Sequence, residues 1–314
     1  MVNQRSGGGA ATRAGVVERA RDRGIKVVVL DPGHSLVTLV DEAVASGADA
    51  LGMAGGDGSL AVVAAAAAAH GLPFICVPAG TRNHFALDLG VDRHDVAGAL
   101  DAFGDGFERR IDLAEVNGRA FLNNVSLGIY GEAVRQSAYR DAKVHALVET
   151  AERVLGPSGK APALRLVDDA GREHAQLAVV LVSNNPYALD RPLPGTRPSL
   201  DSGKLGILIL DTPGNRHPPG RAWSAPDFEV SALTPVHAGI DGEAVTLSAP
   251  LLRFTIRPAA LRVRISSSIL APRHQCASPS PLTEERVSGR SPFPPWRSIG
   301  GRMRPRPWPP FRLQ

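Results

Sequence analysis

Residues 52–63 read GMAGGDGSLAVV, four glycines and one aspartate set between two apolar runs. The run before the glycines, DALGMA (49–54), has the length of a buried strand. The run after them, LAVVAAAAAAHG (60–71), is a small-residue helix that stops at Gly71. The glycines therefore fall at the carboxyl end of a strand, just before a helix, which is where a doubly wound sheet binds ligands. Glycine lets the backbone approach phosphate oxygens closely, and the helix N-terminus from Ser59 onward offers unpaired N–H groups and a positive dipole end. Asp57 is the odd member, because a carboxylate facing phosphate is repelled unless a cation or an acidic proton lies between them. It points to Mg²⁺ or to proton handling. Alone, the stretch serves equally well as a tight turn with a capping aspartate.

The chain around it repeats the same grammar. ATRAGVVERARDRG (11–24) has helical spacing, with Thr12 placed as N-cap and Gly24 as the C′ stop. IKVVVL (25–30) is a β-branched run of the kind found in buried parallel strands. SLVTLVDEAVASG (35–47) reads as helix, PFICVPAG (73–80) as strand and RHDVAGALDAFG (93–104) as helix. Past Arg110 the pattern changes. FERRIDLAEVNGRAFLNNVSLGI (107–129) alternates about an Asn-Gly pair at 117–118, as a hairpin does. A long helix-like stretch at about 131–155 follows, and then short strands at turn-rich intervals. The predicted fold is an N-terminal doubly wound, mostly parallel, three-layer α/β domain (1–110) and a C-terminal β-rich, antiparallel sandwich-like domain (111–266). The last segment of the second domain is free to return to the first, and an Arg/Pro-rich tail (267–314) completes the chain.

Composition removes several function classes. A hydrophobic content of 43% with 21% charged residues is that of a soluble globular protein. Two cysteines among 314 residues exclude a disulfide framework or a cysteine-rich zinc site, and Cys76, inside FICVP, reads as a buried small residue. The nine histidines include no HExxH pattern, so no zinc site is expected. No run of 18 apolar residues and no N-terminal apolar core occur, so neither a membrane span nor a signal peptide is read. The tail holds eight Arg against two Glu, which leaves residues 1–266 near −2 of a formal net charge of +4. A basic nucleic-acid-binding body is thereby excluded. The tail itself reads as a disordered extension of the composition that out-of-frame GC-rich DNA gives, in preference to a basic-aromatic membrane tether.

The glycine stretch has partners. PAGTRNHFALDLG (78–90) gives a second Gly-Thr-x-Asn turn at the next strand exit, and VNQRSGGG (2–9) a third Gly/Ser/Asn cluster. Three such turns along one sheet edge argue for a nucleotide cradle, although neither GxxxxGK[ST] nor GxGxxG is present. Together, Asn3-Gln4-Arg5-Ser6-Gly7, Gly55-Gly56-Asp57-Gly58-Ser59 and Pro78-Ala79-Gly80-Thr81-Arg82-Asn83-His84-Phe85-Ala86 resemble the motifs of the lipid kinase family of diacylglycerol, sphingosine and ceramide kinases, in particular its soluble bacterial members. The resemblance extends to a late Asp241-Gly242-Glu243, to NNVSLGIYGEAV (123–134) and to SLDSGKLGILIL (199–210), and it spans about residues 2–266.

What the resemblance implies is ATP-dependent phosphorylation of a lipid hydroxyl. ATP would be held by Asn3, Ser6, Gly7, Gly55, Gly56, Asp57, Gly58, Ser59, Gly80, Thr81 and Asn83. Glu243 would be the general base, and Asp57 would organise Mg²⁺ and the phosphates, with Asp201 as a second metal candidate. A lipid alcohol substrate, transient membrane-surface contact, no nucleic-acid partner and a cytoplasmic location, extending to the inner membrane face, follow from the same resemblance. A homodimer is left open. The chain departs from the pattern at several places. His84 replaces an acid, Ala61-Val62 replace Asn-Glu, Gln4 replaces Pro, and Ser202 stands where an acid commonly precedes Gly203. His84 reads either as a phosphate partner or as a simple polar turn residue. Met1 stands almost on the first motif, so the strand expected before Asn3 is cut short and the start is expected to lie upstream. Two other readings stay open: a kinase of a soluble acceptor such as NAD, and a catalytically impaired nucleotide- or lipid-binding regulator.

Overall fold

The helical spacing of residues 11–24 produces two helices, α1 (Ala10–Arg13) and α2 (Val16–Asp22). Gly15, left-handed at φ 60°, breaks them apart, so the N-caps are Gly9 and Gly15, and Thr12 lies inside α1. Gly24, at φ 73°, ends the pair as expected. The computed structural model describes residues 1–31, 33–128, 164–175, 177–188, 196–211, 220–248 and 250–267. The chain divides into a unit Met1–Arg273, which contains all of these, and a stretch His274–Gln314. The tail beyond Ser267 and the helix-like stretch at 131–155 lie outside the described residues.

The apolar runs on either side of the opening glycines form β1 (Leu51–Gly55) and α4 (Asp57–Ala69), preceded by α3 (Leu36–Ala45) with Ser35 as its N-cap. α4 is apolar on nearly every side because it is covered on nearly every side; Leu60, Ala61, Val63, Ala64 and Ala67 are buried. β2 (Phe74–Pro78) pairs in parallel with β1, from Leu51↔Phe74 to Gly55↔Pro78, and α5 (His84–Leu89) follows its exit. Two predicted elements fall short. Residues 25–30 make only a bridge, Val29 to Val2, because the segment between them and β1 contributes Val2 alone to the ladder, through Val2 N to Val28 O (2.8 Å) and Leu30 N to Val2 O (2.8 Å). Residues 98–103 form a 3₁₀ helix in place of a full helix.

The remaining strands are β3 (Gly106–Val116), β4 (Arg119–Phe121), β5 (Asn124–Gly128), β6 (Leu164–Val167), β7 (Glu173–Ala175), β8 (Leu177–Asn184), β9 (Leu205–Asp211), β10 (Gly220–Ala225), β11 (Asp227–Ala232), β12 (Val236–Ile240), β13 (Glu243–Leu247) and β14 (Leu251–Ser266). One mixed sheet runs β1-β2-β14-β11-β6-β7, with β3 on β14 and β4 on β3. A second, wholly antiparallel sheet runs β10-β9-β8-β5-β12-β13. A sheet with a parallel part, β1-β2-β14, and a separate antiparallel sheet are thus both present, as the predicted α/β and β-rich fold class requires.

Two strands tie the regions together. Arg110, the expected boundary, falls inside β3, and β14 pairs with β3 along almost its whole length. A register break between Arg257 and Leu261 divides β14. Before the break Leu252, Phe254 and Ile256 enter the core between the two sheets, with Val125, Val180 and Ile207. After it Leu261, Val263 and Ile265 enter the core around β1, β2 and α4, where Val263 pairs in parallel with Phe74. Pro258 sits at the break, where a missing N–H costs nothing to the ladder.

Candidate active site

Three loops at the carboxyl ends of the parallel strands meet through their glycines. The segment Asn3–Gly7 starts at a bridge between Val2 and Ala54, and Asn3 N donates to Ala54 O at 2.9 Å. Arg13 closes it from behind, donating to the carbonyls of Gly8 and Gly7 (the latter at 3.2 Å). Gly7, at φ 56°, lies so close to the second strand exit that a Cβ there would stand 2.6 Å from Ala79 O. A Cβ on Gly80 would stand 2.6 Å from Gly56 Cα, and one on Gly56 would stand 3.2 Å from Ser6 Oγ. The glycines are therefore required where loop touches loop, before any ligand is considered.

The second loop is shaped by its own asparagine. Asn83, left-handed at φ 50° and 6% exposed, accepts from Gly80 N at 2.8 Å and donates to Pro78 O at 3.1 Å. Its amide holds the turn shut, and Thr81 and Arg82 stand exposed on the rim. Asp57, the first residue of α4, reaches across to the start of α5. Its carboxylate accepts from His84 N at 3.3 Å and Phe85 N at 3.4 Å. The Gly55–Ser59 and Pro78–Asn83 loops are thus joined by a charge that favours two helix N-termini at once. At position 84 the backbone N–H makes this bond, whatever the side chain.

Asp241 and Gly242 form a two-residue hairpin turn between β12 and β13, both left-handed (φ 49° and 84°), with Ile240 facing Glu243. The turn's backbone is half-exposed, but the Asp241 carboxylate points inward. It accepts from Leu122 N (2.8 Å), Asn123 N (2.7 Å) and Asn124 N (3.1 Å). Burial, with a smaller push from the Asp57 charge, raises its pKa to about 7 against the pull of these three donors. The clamp fixes where Glu243 emerges. Glu243 lies across the first turn of α4, so that a Cβ on Gly58 would stand 2.5 Å from Glu243 Cγ and 3.4 Å from its Oε1. Asn3, Ser6, Gly7, Gly55 to Ser59, Gly80, Thr81, Asn83 and Glu243 are in this way gathered around one α4 N-terminus.

Asp201 is engaged elsewhere. Its carboxylate takes the Ser199 hydroxyl and faces Arg109 at 3.5 Å, and these partners hold it below the usual carboxylate range. Next to it, Ser202 donates to Asn185 Oδ1 through its hydroxyl (2.6 Å) and its N–H (2.8 Å). Among the described residues no group of three His, Cys, Asp or Glu is placed to hold a metal ion. A cleft of about 830 Å³ opens at the opposite end of the parallel strands, lined by Ile25, Lys26, Leu51 and Phe103, and none of the three loops reaches it.

Sequence reading passes over the polar network beneath the site. Arg197, 3% exposed, pairs with Asp88 of α5 at 2.7 Å and donates to Leu122 O, Asn184 O and Asn123 Oδ1. It thus fixes α5 and the 122–124 segment in one grip, and the Asp241 carboxylate holds that segment from the other side. Asp112, 1% exposed, accepts from Gly203 N (2.7 Å) and from Ala259 N (2.9 Å) at the break in β14. The visible signal was the asparagine pair at 123–124; the partners lie up to 147 residues apart in sequence and carry no local mark.

Residues 1–116 match the family model of the diacylglycerol kinase catalytic domain. A Pseudomonas aeruginosa protein named "Probable lipid kinase YegS-like" is 29% identical over 296 residues, covering 84% of this chain and 93% of that protein. A diacylglycerol kinase of Mycobacterium tuberculosis is 35% identical over 120 residues, and the chain spans only 39% of its length. The crystal structure of a diacylglycerol kinase from Bacillus anthracis superposes with a TM-score of 0.60 at 17% identity, over 85% of this chain and 96% of that one, which shows a shared fold. A Pseudomonas fluorescens protein, also named "Probable lipid kinase YegS-like", is 32% identical over 255 residues, 72% of this chain and 81% of that protein. With these motifs, this fold and that relative, the chain belongs to the diacylglycerol kinase-like lipid kinase family.

Proposed function

We propose that the protein transfers the terminal phosphoryl group of ATP to the hydroxyl of a lipid alcohol, diacylglycerol or a relative of it. The observation that carries this reading is the seating of Glu243 on Gly58, which brings a carboxylate onto the helix N-terminus where the glycine loops converge. Phosphoryl transfer depends mainly on positioning and charge neutralisation, with one group to orient the attacking hydroxyl. Here the α4 N-terminus and the glycine loops bind the phosphates, and Glu243 accepts the proton of the lipid hydroxyl as its oxygen attacks. Among the described residues Asp57 accepts two long N–H bonds, at 3.3 and 3.4 Å, which leaves its carboxylate capacity for Mg²⁺. One carboxylate with phosphates and water is a common way to hold this ion, and when bound it neutralises phosphate charge. Asp57 is therefore the residue that fits it, and Asp201, committed to Ser199 and Arg109, fits less well.

The test is transfer of label from [γ-³²P]ATP to a panel of lipid alcohols in mixed micelles, with NAD as a soluble comparison. Labelled phospholipid is expected from the wild type, a loss of about 10²–10⁴ in kcat from Glu243→Gln, and no product from Asp57→Asn. A wild type that labels NAD and no lipid would overturn the acceptor class. One that binds ATP and labels neither would make it a nucleotide-binding regulator, the reading suggested by the missing acids at 62, 84 and 202.

A further inference from the structure

We propose that Arg82 is a phosphate-binding residue of this site, its guanidinium taking the terminal phosphate of a bound nucleoside triphosphate between the Gly80–Asn83 loop and the Asp241–Gly242 turn. The inference rests on the nucleotide site described above and adds a residue to it. Arg82 stands on the rim of a loop held rigid by the two hydrogen bonds of Asn83, so its backbone is fixed although its side chain is exposed. That side chain lies against the hairpin turn: a Cβ on Gly242 would stand 2.7 Å from Arg82 Nη2 and 3.7 Å from Cζ. Gly242 precedes Glu243, and Glu243 lies on Gly58 at the start of α4. The guanidinium, the proposed base and the helix N-terminus thus follow one another in a chain of contacts.

Charge argues in the same direction. Asp57, Asp241 and Glu243 bring three carboxyl groups to this end of the sheet, and the Asp57 charge acts on Asp241. A triphosphate adds more negative charge, so a cation is required. Some exposed arginines are neutralised by acids, as in Arg23–Asp101 (2.8 Å), Arg253–Glu229 (2.8 Å) and Arg257–Glu115 (2.9 Å), and so are not available to an anion. Arg82 meets no carboxylate among the described residues and rests on a glycine. With histidine at 84 in place of an acid, no carboxylate two residues along the loop competes for it. A guanidinium fork matches phosphate oxygens in a way that lysine does not.

The experiment compares equilibrium binding of ADP and of a non-hydrolysable ATP analogue to the full chain, wild type and Arg82→Ala, with Arg82→Lys as the conservative variant. Arg82→Ala is expected to weaken the ATP analogue about tenfold or more while ADP changes less than about threefold. Lysine is expected to restore part of the difference, and the melting temperature should not move, because the side chain is exposed. Equal losses for both nucleotides, or none for either, would overturn the proposal. A wild type that binds no nucleotide at millimolar concentration would remove both this inference and the kinase reading. Normal discrimination between the nucleotides without phosphoryl transfer would remove only the kinase reading.

Discussion

Two hairpins in this chain turn on the same two-residue chemistry. Asn117-Gly118 joins β3 to β4 at φ 49° and 78°, and Asp241-Gly242 joins β12 to β13 at φ 49° and 84°. Their local signals are interchangeable. Their surroundings are not. Asn117 is exposed, and its side chain exchanges bonds with one neighbouring strand, accepting from Arg253 N at 2.8 Å and donating to Leu251 O at 3.2 Å. Asp241 points inward to three backbone donors of another segment, and its turn carries Glu243 to α4 and lies under Arg82. A turn motif therefore fixes how the backbone reverses, and the side chain's direction decides whether the reversal matters to function.

The comparison breaks most visibly on removal of each first residue. Asp241→Ala leaves three N–H groups around buried Leu122 and Asn123 without their acceptor, at about 1–3 kcal/mol each. A loss of at least about 3 kcal/mol in urea unfolding is expected, against about 1 kcal/mol for Asn117→Ala. Similar losses at the two turns would mean that the inward clamp contributes little. The same carboxyl group gives a pH signature. Its folded pKa, about 7, lies above its value of 3.8 in the absence of burial, so folding takes up a proton between those values. Its stabilisation is then fully present below about pH 4 and is lost as pH rises through about 7. The urea midpoint of the wild type relative to Asp241→Asn should accordingly be higher at pH 5 than at pH 8. A gap that widens at pH 8 would show that the three donors keep the group ionised.

Gly58→Ala sharpens the functional side. A Cβ there meets Glu243 Cγ at 2.5 Å, the movable part of an exposed side chain, so the fold can yield but the base must shift. Turnover is expected to fall at least about tenfold, since small misplacements of a reacting group are costly, with unfolding hardly changed. Gly80→Ala is the counterpart at a loop contact, because its Cβ meets Gly56 Cα at 2.6 Å, which is backbone that cannot step aside. It should lower stability along with activity. Loss of stability in Gly58→Ala, or stability unchanged in Gly80→Ala, would contradict this division.

The contrast between local and distant marks the limit of what could be read in the sequence. β1, β2, α4 and both two-residue turns follow from runs and turn residues that neighbour each other in the chain. The glycine loops were legible because several motifs occur in order. The break at Gly15 was missed because a glycine inside a helical pattern is ordinarily tolerated, and here its φ of 60° is not helical. Arg197, Asp88 and Asp112 could not be found, since, Asn184 apart, their partners are 74 to 147 residues away and a buried ion pair has no periodicity. Asn83 reads from the sequence as a nucleotide contact; that its amide also bonds within its own loop is a local use that the motif does not announce.

The smallest effect separates the turns most cleanly. Gly118→Ala and Gly242→Ala place the same residue at nearly the same positive φ, 78° and 84°, and each should cost about 1 kcal/mol in stability from backbone strain alone. A Cβ on Gly118 meets nothing within 4 Å, whereas one on Gly242 meets Arg82 Nη2 at 2.7 Å. Both variants should therefore shift the urea midpoint alike, and only Gly242→Ala should lose discrimination between ADP and the ATP analogue, because the guanidinium must leave its seat on the turn. Equal nucleotide binding in the two variants would mean that the position of Arg82 on Gly242 has no bearing on the phosphate it is proposed to hold.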